Sequence, residues 1–210
     1  ASAGETPLSL SGDLEELVGD CTGVVDARTG EALDEKAVRL GRLKELGSMR
    51  SFKVWELVEA ARKGQGKLVK VKWVHDARKD GVVRARLVAM EIAYDFRSDT
   101  HAGPPPIAII RWMISDAATG TPENLQIHDV TCAFLHASME GEPPLALIMP
   151  WGLAPKGCLA VLQCALYGTR RASYLWGEKI STEFTKPGTL TRAKGCGQLY
   201  YNKEKELVTV

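Results

Sequence analysis

KLVKVKWV at residues 67–74 and VVRARLVA at residues 82–89, joined by HDARKDG at 75–81, carry the reading of the fold. In the first run Val69, Val71 and Trp73 alternate with Lys70 and Lys72. Strict alternation places one set on each side of a pleated strand, so this is a half-buried strand. Asp80-Gly81 is a hairpin signal, because glycine enters left-handed turn conformations without steric cost. The second run carries Arg84 and Arg86 two residues apart, hence on one face. Together they predict a β-hairpin with one basic face. From Arg62 to Arg86 there are nine cations (Arg62, Lys63, Lys67, Lys70, Lys72, Arg78, Lys79, Arg84, Arg86) against Asp76 and Asp80, a net of +7.

Upstream, Gly64-Gln65-Gly66 reads as a turn, preceded by VWELV at 54–58. Between 34 and 49, Ala37, Leu40, Leu43, Leu46 and Met49 recur at helical spacing. Asp34 is placed to cap that helix and Gly47 weakens its far end. Residues 1–32 are rich in Gly, Ser, Thr and acids, with a short apolar island at Leu14, Leu17 and Val18, and read as a loose acidic leader with one helical turn. Downstream, Gly103 and Pro104-Pro105-Pro106 punctuate the chain before IAIIRWMISDAA at 107–118, which reads as a mostly buried helix. Residues 125–130 are strand-like, and EPPLALIMPWG at 142–152 reads as a loop and strand. Residues 165–176 begin a basic helical stretch, and 198–201 with 206–210 flank a turn as a second hairpin.

The 210 residues suffice for one domain with an extension, and 45% hydrophobic with 25% charged residues describes a globular chain. No apolar run approaches the ~18 residues of a membrane span. The start has neither a basic region nor an apolar core, so it is no secretory signal. It also lacks Met, and a fragment of a longer intracellular reading frame is expected. Five scattered cysteines form no C-x-x-C pair, which points to reduced thiols rather than a disulfide framework or zinc knuckle. The net charge of +1 hides an asymmetry: residues 1–35 hold nine acids and only Arg28, a net of −8, which leaves +9 on the other 175. A basic body suits a polyanion partner, although an ordinary solvated surface accounts for the charge alone equally well.

Four collinear blocks bring the chain close to a family. They are WELV from Trp55 with KWV from Lys72 and RARLVA from Arg84; PPPIAIIRWMISDAA ending at Ala118; LQIHDVTCAFLHA at 125–137; and LQCALYGTRRASYLW at 162–176. Taken together, over about residues 33–210, they resemble the copia-type retrotransposon reverse transcriptases. The resemblance implies an α+β fold: the fingers and part of the palm of a right-hand polymerase, an antiparallel sheet with packed helices. It implies an RNA-directed DNA polymerase, with template-primer nucleic acid and dNTP as partners, no membrane, and Mg²⁺ (or Mn²⁺) as cofactor of the complete enzyme.

By that resemblance Asp129 is the catalytic carboxylate and, with the Val130 carbonyl, a metal ligand at a strand end. Phosphoryl transfer needs carboxylates in such a place. Phe134 takes the position of the aromatic gate that selects deoxynucleotides. Lys72, Arg84 and Arg86 would grip the triphosphate, a task that suits planar, always-charged guanidinium groups. Tyr167 and Gly168 would lie against the template base and incoming nucleotide, with Arg170 and Arg171 as further template contacts. His128 is incidental. Arg171 stands where the family usually has Gln, Thr169-Arg170 replaces a Leu-Lys-like pair, and Met90-Glu91 replaces Lys-Gly.

The family's second carboxylate pair lies in a Y-V-D-D-type turn, and no Asp-Asp dipeptide occurs in the 210 residues. The strands near Leu199 and Glu206 resemble the run-up to that turn. The chain alone is therefore expected to be inactive, the rest of the palm, the thumb and RNase H being supplied by a polyprotein. A non-catalytic nucleic-acid-binding module and a degenerate transposon remnant remain as alternatives.

Overall fold

The computed structural model describes residues 14–60, 66–93, 100, 103–120, 125–150 and 153–210. Residues 1–13, Arg62, Lys63, the Gly64-Gln65 half of the expected turn and Gly152 lie outside the described residues.

The helix expected at 34–49 is α2 (Glu35–Ser51), which follows the short α1 (Leu14–Leu17). Asp34 caps it as anticipated, its side chain accepting from Ala37 N at 2.8 Å. Two details differ. The helix runs four residues past Gly47, and its buried stripe is Val38, Arg42, Glu45, Leu46 and Met49, while Leu40 is 67% exposed. Positions spaced by three rotate about 60° per step around a helix of ~3.6 residues per turn, so Leu40 drifts to the solvent side. Arg42 and Glu45 take the inner face because both find partners there. Gly41 is required by packing: a Cβ on it would stand 2.4 Å from the Val83 carbonyl oxygen.

The hairpin forms as read. Strands β2 (Lys67–Ala77) and β3 (Val83–Ala89) pair antiparallel, with Val71 opposite Ala89 and Ala77 opposite Val83. Gly81 turns the chain at φ 75°, which glycine adopts freely. Val69, Val71, Ala85, Leu87 and Ala89 are buried, whereas Lys70, Lys72 and Arg84 are exposed.

Strands β1 (Trp55–Glu59), β4 (Leu145–Ile148) and β5 (Cys158–Leu162) complete a five-stranded sheet in the order β1-β5-β4-β2-β3. All its pairings are antiparallel except β2 with β4, which is parallel. The α+β class therefore holds, but the sheet is mixed rather than antiparallel. The parallel pair joins segments almost eighty residues apart, and no local turn signal announces it. Leu46 and Met49 of α2 pack with Val69, Val71, Leu87, Leu147 and Leu162 into one core.

Residues 14–32 are not a loose leader. Val18 is 1% exposed within the main core. Arg42 donates through Nη1 to the Val18 carbonyl at 3.0 Å and the Asp20 carbonyl at 2.7 Å. Asp26, 2% exposed, accepts from Arg28 N, Thr29 N and Ala77 N at 2.8, 2.8 and 2.5 Å, which fastens the segment to the end of β2. Acidic composition suggested solvation; one acid instead folds inward to satisfy three backbone donors.

Two more expectations are corrected. Helix α3 (Ile107–Thr119) exists but has no buried residue, and Trp112 and Ile114 are each 52% exposed. Residues 125–130 form no strand and are exposed throughout, Ile127 at 93%. Their alternation suits a strand, but a strand needs a partner and none of the described strands pairs with them.

The helix expected from 165 starts later, as α4 (Ala172–Phe184). A second sheet, β6 (Thr191–Ala193), β7 (Cys196–Asn202) and β8 (Leu207–Thr209), is an antiparallel meander that includes the expected second hairpin. It meets α4 through Phe184 and Tyr200, whose rings lie 5.2 Å apart, edge to face.

Candidate nucleic-acid interface

The outer face of the hairpin carries Lys70, Lys72 and Arg84 in the open and Arg86 half-buried. Register fixes this: Lys72 lies opposite Val88, Val74 opposite Arg86 and Asp76 opposite Arg84, and opposed residues share a face. Asp76 pairs diagonally with Arg86 at 2.6 Å, with about a quarter to a third of each side chain exposed. Lys72 and Arg84 are thus the more available cations. Lys70 belongs beside them, and the same alternation that placed Lys72 there could have selected it.

The fourth sequence block docks onto the end of this hairpin. Ala89 N donates to the Tyr167 carbonyl at 2.7 Å, and Glu91 N to the Gly168 carbonyl at 3.4 Å. The approach is possible only at glycine. Gly168 has φ 81°, and a Cβ there would lie 2.0 Å from the Ala89 carbonyl oxygen and 2.7 Å from a Val88 methyl. The third block arrives at the same corner. A 3₁₀ turn (Ala133–His136) presents Phe134, whose ring centroid is 5.4 Å from that of Tyr167. Ala165 N donates to the Ala137 carbonyl at 2.8 Å and holds the two blocks together.

The hairpin cations act on this corner through their charge. Burial pushes the Tyr167 phenol up, with Cys132 and Glu45 adding to the rise and Arg84 and Arg86 opposing it. Burial likewise raises the Glu45 carboxyl, against a Leu87 N–H bond at 3.4 Å and the same two arginines. Glu45 was not anticipated, because a charged residue within a helical stripe reads as solvent-facing.

Arg170 and Arg171 sit on the other side of Gly168. Arg170 N donates to Glu91 Oε2 at 2.8 Å, and Lys67 Nζ reaches Glu91 Oε1 at 2.9 Å. Arg171 pairs with Glu142 at 2.6 Å and lies over the Tyr174 ring, 4.9 Å from its centroid. The unusual Glu91 therefore binds one ammonium and one backbone N–H. Its role needed the fold, since Lys67 and Arg170 are distant in sequence.

Asp129 and Val130 stand in the exposed, unpaired segment described above. His128 Nε2 lies 3.1 Å from Gln126 Oε1. Among the described residues no group of three or more His, Cys, Asp or Glu side chains is placed to hold a metal ion. With Asp129 as a single carboxylate, the donor set of these residues alone does not fit Mg²⁺ or Mn²⁺. Of the residues expected at a site, Phe134, Tyr167 and Gly168 meet at the Ala89 end of the hairpin, Lys72, Arg84 and Arg86 lie along its outer face with Arg84 toward the Gly81 turn, Arg170 and Arg171 flank the corner, and nothing ties Asp129 or Val130 to the group.

No protein-family model matches this chain, nor does any curated protein or any solved structure.

Proposed function

We propose that the chain is a phosphate-gripping, nucleic-acid-binding unit, the fingers and partial palm of a copia-type reverse transcriptase. The observation that carries this reading is the meeting of three remote sequence blocks at one corner. The RARLVA strand at Ala89, Phe134, and Tyr167 with Gly168 come from segments some fifty and some thirty residues apart. The exposed cations of the hairpin face supply attraction for phosphates, and the Phe134–Tyr167 pair supplies an aromatic wall for a sugar or base. Template-primer and dNTP are the partners this corner suits. Asp129, with the Val130 carbonyl, would supply only part of a Mg²⁺ shell, which further carboxylates of a complete enzyme would have to fill.

Binding to nucleic acid should be independent of sequence and sensitive to salt. Three or four phosphate contacts give a log–log slope of about −3 on duplex DNA. Arg84→Ala with Arg86→Ala should flatten it by about one to two units. Affinity that does not change between dilute and physiological buffer would remove the reading. Primer extension with Mg²⁺ or Mn²⁺ separates enzyme from module: the chain alone should incorporate nothing, a form extended into the rest of the palm should incorporate dNTP and lose that activity with Asp129→Asn, and binding without incorporation by the extended form favours the non-catalytic alternative.

A further inference from the structure

Beside the Gly168 corner lies a cleft of about 360 Å³ lined by Lys67, Arg170 and Arg171 together with Pro144 and Leu145. Two carboxylates enter it. Glu91 binds the Lys67 ammonium and the Arg170 backbone N–H, and Glu142 binds Arg171. The side chains of both acids are only 11% exposed. An oxyanion held at once by an ammonium and a backbone N–H beside a Gly turn has the coordination of a bound phosphate oxygen.

We propose that this cleft is a second phosphate site, for the backbone of a nucleic-acid strand, kept closed by the chain's own carboxylates. Glu91 and Glu142 occupy the places of the phosphate oxygens. While they hold Lys67 and Arg171 a strand stays out; once a carboxylate is neutralised, a strand enters the cleft and gains the cation it released. Pro144 and Leu145 give the lining an apolar stretch against which a sugar can rest. The inference rests on the nucleic-acid reading of the neighbouring hairpin, with Arg84 as the marker of that reading.

The test is a salt titration of single-stranded oligonucleotide binding by the whole chain. Glu91→Gln keeps an acceptor for Arg170 N–H but releases Lys67. It should tighten binding and steepen the log–log slope by about 0.7, the increment for one added contact on a single strand. Glu142→Gln should do the same through Arg171, and it serves as the second reading should Glu91→Gln unfold the chain. Lys67→Ala should cancel the gain of Glu91→Gln yet leave the parent protein unchanged, because there Lys67 is already neutralised. Glu204→Gln, in the β7–β8 turn, removes the same charge elsewhere and should change little.

An unchanged or shallower slope in both carboxylate variants overturns the proposal, and so does equal steepening by Glu204→Gln. Loss of affinity in Lys67→Ala alone shows that Lys67 is already open, which also overturns it. Tighter binding of inorganic pyrophosphate without tighter binding of the oligonucleotide would refute the strand assignment. If Arg84→Ala leaves the slope unchanged while Glu91→Gln steepens it, the hairpin reading falls and the cleft stands.

Discussion

The hairpin corner and the α3 region have similar apolar content and opposite fates. In β2 and β3 the inner-face residues Val69, Val71, Val83, Ala85, Leu87 and Ala89 are buried, most of them in one core with Leu46 and Met49 of α2, and backbone donors at the strand end are satisfied by Tyr167 and Gly168 carbonyls. In α3 and residues 125–130, Ile107, Trp112, Ile114 and Ile127 are more than half exposed. The difference lies in patterning. The hairpin has a single apolar face that one partner layer can bury, whereas IAIIRWMISDAA is apolar around much of its circumference and no single layer can cover it. Apolar content alone does not make a core.

That contrast can be broken most directly by mutation. Leu87 is fully buried, so Leu87→Ala should cost about 2–5 kcal/mol of folding stability through lost burial and the cavity left behind. Ile127→Ala should stay within about 0.5 kcal/mol, as exposed substitutions do. Urea titration of the two variants decides it. Comparable losses would mean that residues 125–130 are packed in solution.

Legibility follows the same line. The hairpin, its Gly81 turn and the Asp34 cap are local patterns, and each could be read because its cause lies within a few residues. The β2–β4 pairing could not, since parallel neighbours are chosen by shape across the whole core. Arg42 and Glu45 were invisible as core residues because their burial depends on the Val18, Asp20 and Leu87 backbone groups and on His75, which only the fold brings near. At the candidate site, Arg84, Phe134, Tyr167 and Gly168 were legible as separate blocks, while the reason for the glycine lay in the Ala89 carbonyl beside it. The run from Leu125 misled for the converse reason: alternation states what a strand would look like, not whether a partner exists.

The next effect is acid sensitivity of the hairpin side. His75 is buried and accepts from Arg42 Nε at 3.1 Å, and burial first, then the Arg42 charge, lowers its pKa from 6.5 to about 4. Above pH ~6.5 the ring is neutral in both folded and unfolded chains and makes no difference. As pH falls from there to about 4 the unfolded chain binds the proton first, so stability drops, by roughly 3 kcal/mol in all. Asp26 adds a second, lower window. The Ala77, Thr29 and Arg28 N–H bonds hold its pKa at about 2 against an ordinary 3.8, so its stabilisation is present above 3.8 and lost on the way down to 2. Thermal melts from pH 7 to pH 3 should show His75→Gln flattening the upper window alone. An unchanged profile would place the acid response elsewhere.

The smallest effect separates the two regions by backbone rather than by side chain. Gly168→Ala forces a Cβ into a left-handed conformation, which costs about 1–2 kcal/mol before any contact is considered. The new atom would also stand 2.0 Å from the Ala89 carbonyl, so the turn must withdraw and loosen the Ala89 N–H bond to Tyr167. Ala118→Gly in α3 lowers helix propensity by a comparable ~1 kcal/mol, but that loss is confined to a helix with no buried residue. Global unfolding should therefore register Gly168→Ala and barely register Ala118→Gly. Amide exchange should report the reverse order locally, with α3 opening more readily and β3 protection falling only in the Gly168 variant. Should Ala118→Gly shift the global midpoint as far as Gly168→Ala, α3 belongs to the cooperative unit, and the difference between the two regions is one of exposure without independence.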